Sequence, residues 1–566
     1  MKKWICAVLT AVLILSLAAC GNSGYLEIVK DGKTQYTVVS YLEETDAVQK
    51  FSTKMLVSAG AVVPVADEAK GAAIYVGTPD VFSEATDKLG QPGYGGYEIV
   101  VDGENIFVSV SDTAAADEAL TQLRGEMEKY SDSAAGVKKD LHIFGNICKI
   151  KESIPAFTPT SGTPSALRDA GNGNYEILYD KVDAASIGSE LDGYRKTLEK
   201  EGFTCYCDNR IGDNQFSTYY KEDAQVYFNY FPALKQVRVV FGAKEYLPDT
   251  TPIDCEKVVT PSFVNIGMTD NVQCMVFQAA DGTFVVIDGG WGESKVYDKV
   301  LNQGKSNERT IHIQRDVDYD MESLMTYLKE NTPGGGKPQV IWMITHADPD
   351  HITLPPVFFE KYADQFDLKM YCDNFPNILN IGLTNGGSPS SFAAYAETYL
   401  NAAQKYFPDA EHYIYHTGQK LQLPGGAEIE FLFSHEDYWP NEMPWMNSTC
   451  GGWRFTVEGK TILILGDMSP GLNNQMAKTF GSYVKSDVFQ PAHHGANGGT
   501  LLLYKLVDPT VCFWSCQQYQ LDYDDRHRGI DPNYDFNKFL RESPNVIADY
   551  SNSETAGIVF PSLEKK

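Results

Sequence analysis

Residues 339–351 read QVIWMITHADPDH. The first half is an apolar run rich in β-branched and aromatic residues, with the length and composition of a buried strand. It hands over at once to His346, Asp348, Asp350 and His351, four potential metal ligands within six residues on a loop that contains Pro349. Carboxylates crowded this closely repel one another unless a cation gathers them. A divalent ion resolves that conflict, because it takes imidazole nitrogen and carboxylate oxygen at about 2 Å. The stretch predicts a metal site mounted on the end of a strand.

The same pattern recurs on both sides. TFVVID runs into Asp288 and Gly289-Gly290, TILILG into Asp467, and DVFQPA into His493-His494-Gly495. Apolar strands that deliver ligand residues to their ends suit a site carried by a rigid scaffold. Helices are predicted between them, over MESLMTYLKEN (321–331) and PVFFEKYADQF (356–366). The outcome is a layered α/β arrangement with mixed sheets.

Taken in order, these motifs resemble the metallo-β-lactamase superfamily of hydrolases over residues 251–566. Within it they are most similar to the competence-type branch, named for the hydrolase domain of bacterial DNA-uptake channels. The resemblance is carried by VIWMITHADPDH, by Asn447-Ser448 ahead of the hairpin GGWRFTVEGKTILILGD, by FQPAHHGANGG, and by VCFWSC with the closing NVIADYSNSETAGIVF. It implies an αββα sandwich, preceded here by two small α+β domains. Asp348 stands where the family's HxHxDH loop has its second histidine.

The resemblance also implies roles. Asp350, His351 and one histidine of His493-His494 would bind one metal, with Asp467 bridging. A second would use His346, Asp348 and Asp467. Asn447 or His435 occupies the family's usual third-histidine position. Asp288 would orient the histidine loop. The expected cofactor is one or two divalent ions, zinc by default, with manganese or iron suited by the oxygen-rich ligand set. Asp350 is the expected catalytic group, orienting the attacking water, and the remaining histidine of the pair would steady developing negative charge. His527 or Asp531 would line the pocket.

Ahead of the hydrolase region, residues 20–150 read as alternating short strands and amphipathic helices, with a hairpin signal at Asp102-Gly103. The order IYVGTP, GYEIVVDGENIFVSVSD and ALTQL resembles the small accessory domain that precedes the catalytic barrel in some exported hexosaminidases and glucuronidases. The Pro/Ser/Thr/Gly-rich stretch 155–164 reads as a linker. The domain 151–250 then supplies a helix near 189–201, with Ser189 as N-cap, and tyrosine-rich strands expected to form a half-exposed antiparallel sheet.

The chain has 566 residues, more than one ordinary core accommodates. Its net charge of −28 disfavours general coating of nucleic acid. Lys2 and Lys3 precede an apolar run from Trp4 to Ala19, too short for a comfortable membrane span. Leu17-Ala18-Ala19-Cys20-Gly21 resembles a bacterial lipoprotein box. Residues 1–19 are therefore expected to be a signal peptide. Cys20 would be the lipidated N-terminus on the extracellular face of the cell membrane, with two acyl chains giving stable anchoring. Loss of the two lysines makes the mature charge −30. A small-molecule or cell-envelope substrate suits that charge, and long nucleic acid does not.

Some residues take ordinary readings. His412 and His416 have helical metal spacing, but EHYIYHTG reads as a strand, where positions i and i+4 lie far apart. Gly334–Gly336 leads into Lys337-Pro338 without the phosphate-loop Lys-Ser/Thr pair. Cys512 and Cys516 fall in an apolar strand. Two functions compete: an exported metal-dependent hydrolase, and a surface binding protein on a catalytically degenerate hydrolase scaffold. The second is motivated by Asp348, by the missing third histidine and by the two domains ahead of the hydrolase region.

Overall fold

The strand Gln339–Met343 lies third in a seven-stranded sheet ordered Glu411–Ile414, Asp367–Asp373, Gln339–Met343, Phe284–Asp288, Cys274–Gln278, Ser262–Asn265, Ala556–Val559. The computed structural model describes residues 24–566 apart from 43–44, 83–85, 87, 90–94, 112, 131–133, 148–152, 172–173, 302–307, 378–388, 442, 497 and 522–535. Residues 1–19, Cys20, His527 and Asp531 lie outside the described residues. A second seven-stranded sheet runs Lys420–Leu423, Ala427–Phe433, Gly452–Val457, Lys460–Ile464, Val488–Gln490, Val511–Phe513, Ala548–Tyr550.

The two sheets face each other across a layer that includes Phe277, Ile287, Met343, Phe431, Trp453, Phe455 and Ile462. Each such side chain buried contributes about 1.5–3 kcal/mol, so this layer is the main hydrophobic support of the fold. Helices cover both outer faces. Val317–Glu330, Leu354–Tyr362 and Pro389–Tyr406 pack on the first sheet through Leu324, Phe358, Phe359 and Tyr399. Pro470–Phe480, Leu501–Val507 and Phe536–Arg541 pack on the second through Leu472, Met476, Leu503 and Leu540. The architecture is an αββα sandwich, as expected.

Strand direction places the motifs. Phe284–Asp288 pairs in parallel with Gln339–Met343, and Lys460–Ile464 in parallel with Val488–Gln490, which pairs in parallel with Val511–Phe513. Parallel neighbours end at the same edge of a sheet, where ligand loops of α/β proteins gather. The helix predicted at 321–331 begins earlier, at Val317, because the Asp316 side chain accepts from Tyr319 N and caps it. Among the described residues, no helix is long and apolar enough to cross a membrane.

By its contacts the chain divides into two compact units. One comprises the described residues up to Ser153 with Leu167–Asp169, and the other Ile154–Ala166 with Ala170–Lys566. In the first, helices Asp46–Ala59 and Thr113–Glu128 share a core with a five-stranded sheet. The hairpin at Asp102-Gly103 is present, with Asp102 opposite Asn105 and Gly103 at φ +63°.

The second unit also contains, save for Leu167–Asp169, a six-stranded sheet ordered Thr204–Ile211, Asn214–Lys221, Ala224–Phe231, Gln236–Ala243, Asn174–Asp180, Thr163–Gly171. Its helix spans Ile187–Lys200, with Ser186 and not Ser189 at the N-cap position; Ser189 Oγ donates to Ser186 O. The half-exposed sheet expected from the tyrosines is not what forms. Tyr219, Tyr227 and Tyr230 are buried, because the helix covers one face and the sandwich covers the other. Tyr194 packs on Phe228 on the helix side, while Phe216 and Phe231 meet Phe480 on the sandwich side.

Candidate metal centre

Asp288 ends its strand with φ +57°, a left-handed conformation that non-glycine residues adopt at a cost of about 1–3 kcal/mol and that concentrates at functional sites. The bend turns its carboxylate into the sandwich edge. Thr345 N donates to Oδ1 at 2.7 Å, Thr345 Oγ1 donates to Oδ2 at 2.8 Å, and His351 Nδ1 lies 2.7 Å from Oδ2. A carboxylate on Nδ1 leaves Nε2 as the lone-pair nitrogen and aims it.

That nitrogen faces a cluster. One ligand atom from each of Asp350, His351, Asp467 and His494 lies within 4.8 Å of all the others. His351 Nε2 is 3.2 Å from Asp467 Oδ1, and His494 Nε2 is 3.2 Å from both Asp467 Oδ2 and Asp350 Oδ2. Ligands placed tetrahedrally at about 2 Å from one ion stand about 3.3 Å apart, so these separations fit a shared cation. A second observation agrees. His346 Nε2, His351 Nε2, His494 Nε2 and Asp467 Oδ1 are all buried without a hydrogen-bond partner, which is costly for polar atoms that no ion satisfies.

His494 is oriented from behind by Ser515, whose carbonyl accepts from Nδ1. His493 and His494 both take positive φ, +55° and +53°, so the tight turn after Ala492 sends the two rings apart. His494 enters the cluster; His493 Nε2 stays 3.8 Å from Asp467 Oδ2 and remains partly exposed. His346 Nε2 lies 3.3 Å from Asp348 Oδ2 beside the cluster, its ring centroid 4.3 Å from that of His351. Asn447 Nδ2 reaches Asp467 Oδ2 at 3.4 Å. His435 is engaged elsewhere, with Nε2 2.9 Å from Asn374 Oδ1.

The electrostatics are those of a site that wants positive charge. Burial disfavours charge on His351, yet Asp467 and Asp288 outweigh it and hold its proton well above the usual imidazole range. His494 is pushed up to about 10, burial again being overcome by Asp467 and Asp350. Asp467 shows the converse: burial raises its pKa, but His494, His351 and His493 bring it well below the ordinary carboxylate value. Burial lowers the pKa of His493 and keeps that ring neutral at pH 7.

His412 and His416 bind neighbouring acids outside this site. His412 Nε2 meets Asp373 Oδ2 at 2.9 Å, and His416 sits between Glu245 and Glu436 at 3.0 Å each. Cys512 and Cys516 are core residues. Sequence reasoning missed Thr345, which holds Asp288, and Ser515, which holds His494. A threonine beside the histidine loop was the available signal for the first. For Ser515 there was none, since a backbone carbonyl carries no side-chain mark.

No family model matches the chain, and no curated protein matches it. Among solved structures it is similar to a point mutant of the CmlA beta-hydroxylase, at 12% identity and TM-score 0.26 over 46% of this chain and 47% of that one. It is also similar to CmlA, a diiron beta-hydroxylase from Streptomyces venezuelae, at 12% identity and TM-score 0.25 over 47% and 46%. A third likeness is to a Parabacteroides distasonis protein designated, by inference, a metal-dependent hydrolase: 11% identity and TM-score 0.25 over 60% of this chain and 99% of that one. The chain spans about half the length of the two hydroxylase chains. Overlap at these scores is partial, and the sandwich stands on its own strand order.

Proposed function

We propose that the protein is an exported, membrane-anchored, metal-dependent hydrolase of the competence-type branch, acting on a small or cell-envelope phosphodiester or ester. The observation that carries this reading is the convergence of Asp350, His351, Asp467 and His494, among which His351 Nε2, His494 Nε2 and Asp467 Oδ1 are buried without a hydrogen-bond partner. These four residues would hold one ion. His346 and Asp348, beside Asp467, would hold a second. Zinc is the default occupant, and the three aspartates suit manganese or iron.

A bound divalent ion supplies a water acidified toward neutral pH and polarises the oxygen of a carbonyl or phosphoryl group. The chain's own residues do the rest. Asp350 is partly exposed at the cluster edge, where its carboxylate can accept a hydrogen bond from the attacking water and orient it. His493, partly exposed beside Asp467, presents an N–H to negative charge developing on the substrate. Asp288 and the Ser515 carbonyl fix the two buried imidazoles.

The binding-protein reading drew on Asp348 and on Asn447 at the third-histidine position. The assembled cluster favours the hydrolase, because four ligands converge without either. Metal quantification joined to a hydrolysis screen on bis-aryl phosphate, lactam and ester probes tests the choice. Wild type is expected to hold one or two ions and to turn over at least one probe. EDTA, Asp467→Ala or His351→Ala is expected to abolish both. Turnover that survives EDTA ends the proposal.

A further inference from the structure

The six-stranded sheet turns toward the sandwich a face on which a buried polar cluster sits beside the apolar contact of Phe216 and Phe231. Arg238 and Glu176 pair there with side chains almost wholly excluded from solvent. Arg238 Nη2 donates onward to Trp439 O at 2.7 Å and to Asp437 O. Asn229 Nδ2 donates to Asp437 Oδ1 at 2.9 Å. Asp437 also accepts from Thr417 Oγ1 and from Ser434 N, so one short turn, 434–439, receives hydrogen bonds from both the sheet and the sandwich. Directional hydrogen bonds of this kind favour one docking geometry where an apolar contact would tolerate slippage, although Arg238 Nε and Asn229 Oδ1 make none.

That turn grips the helix Pro470–Phe480. Gln475 Nε2 donates to Asp437 O, and Tyr438 lies so close over Gly471 that a Cβ there would collide with its hydroxyl. The sheet holds the far end of the same helix directly: Asn214 Nδ2 donates to Thr479 O at 3.0 Å, and Phe216 and Phe231 pack on Phe480. At its near end the helix begins three residues after Asp467. Asn473 Nδ2, in its first turn, donates to Met468 O, Ser469 O and Gly498 O, tying the Asp467 loop to the segment just past His493-His494.

We infer that the six-stranded sheet is a working part of the metal centre: Arg238, through the Asp437 turn and Gln475, positions the helix 470–480 and thereby the ligands Asp467 and His494. The sheet is on this account neither a flexible accessory nor a ligand-binding module. Arg238 and Gln475 are positioning residues, Gln475 on the helix itself and Arg238 one hydrogen-bonded turn further from the ligands, and the inference rests on the metal-centre reading above. Displacing a ligand-bearing loop by a fraction of an ångström lowers metal affinity without removing a ligand, as loss of outer support does at other metal sites.

Co2+ titration of the whole chain, followed by its visible absorption, tests this. Gln475→Ala keeps a good helix former at a half-buried position and is the first variant. Arg238→Met with Glu176→Gln, which leaves no buried carboxylate unpaired, is the second. Each is expected to weaken Co2+ binding by about tenfold and to alter the ligand-field spectrum, and Arg238→Lys with Glu176 intact is expected to recover part of the loss. Combined, the two changes are expected to cost no more than either alone, because they cut one chain of contacts. If the Arg238 variant does not fold, Asn229→Ala replaces it, removing one donor to Asp437 and no charge. Unchanged Co2+ affinity and spectrum in the folded variants, or losses that multiply in the combination, would overturn the inference. A wild-type chain that takes up no Co2+ would sink the metal reading and this inference together.

Discussion

His351 Nδ1 lies 2.7 Å from Asp288 Oδ2, and the same carboxylate is held in place by the backbone and hydroxyl of Thr345. The imidazole is thus clamped from the side away from the ligand cluster, and its free nitrogen is aimed before any ion arrives. Preorganisation of this kind is what separates a metal site from a group of neighbouring acids.

Asp288→Asn keeps the shape of that clamp and removes its charge. Metal affinity is expected to fall about 10- to 100-fold, measured by competition with a chromophoric chelator. An affinity equal to wild type would show that His351 needs no carboxylate behind it.

Gly466, directly before Asp467, has φ +53°, and a Cβ there would stand 2.7 Å from Thr345 Cβ and Oγ1. Gly466→Ala therefore both strains the backbone and presses on the residue that holds Asp288. It is expected to cost about 1–3 kcal/mol in urea unfolding and to weaken metal binding as well. A variant as stable as wild type would contradict the packing.

Burial pushes the Asp437 carboxyl up to about 7, against the lowering effects of Arg238, Thr417 and Ser434 and with a further rise from Glu436. The native state then keeps a proton that the unfolded state has lost between about pH 4 and pH 7. Its contribution to stability falls as pH rises through that window, by up to about 4 kcal/mol, and is level above it. Relative to wild type, chelator-treated Asp437→Asn is expected to gain stability from pH 4 to 7 in urea unfolding. A flat difference would mean the carboxyl titrates normally.

Cys20→Ser is expected to abolish incorporation of radiolabelled fatty acid and to move the protein from the membrane fraction to the medium. Unaltered fractionation would remove the lipid anchor from the account.

How much of this was legible beforehand differs by residue. QVIWMIT before HADPDH, TILILG before Asp467 and DVFQPA before His493-His494 each join an apolar strand to candidate ligands within a few residues, so local composition exposed both. The helix starting at Val317 was read four residues late, because Asp316 and its cap contact with Tyr319 N lie ahead of the apolar periodicity. The tyrosines of 214–231 suggested an open sheet because alternation cannot tell a face met by solvent from one met by another layer.

Sequence alone therefore determined the layered α/β class and the loops that carry the candidate ligands, since both follow from short-range pattern: strand periodicity, and carboxylates and imidazoles packed at one strand end. Only the tertiary structure chose His494 over His493, placed Thr345 behind Asp288, and buried both faces of the six-stranded sheet. Those outcomes depend on a left-handed turn at residues 493–494 and on contacts between segments as far apart as Arg238 and Trp439. The energies that decide them come from neighbours in space, and neighbours along the chain do not encode them.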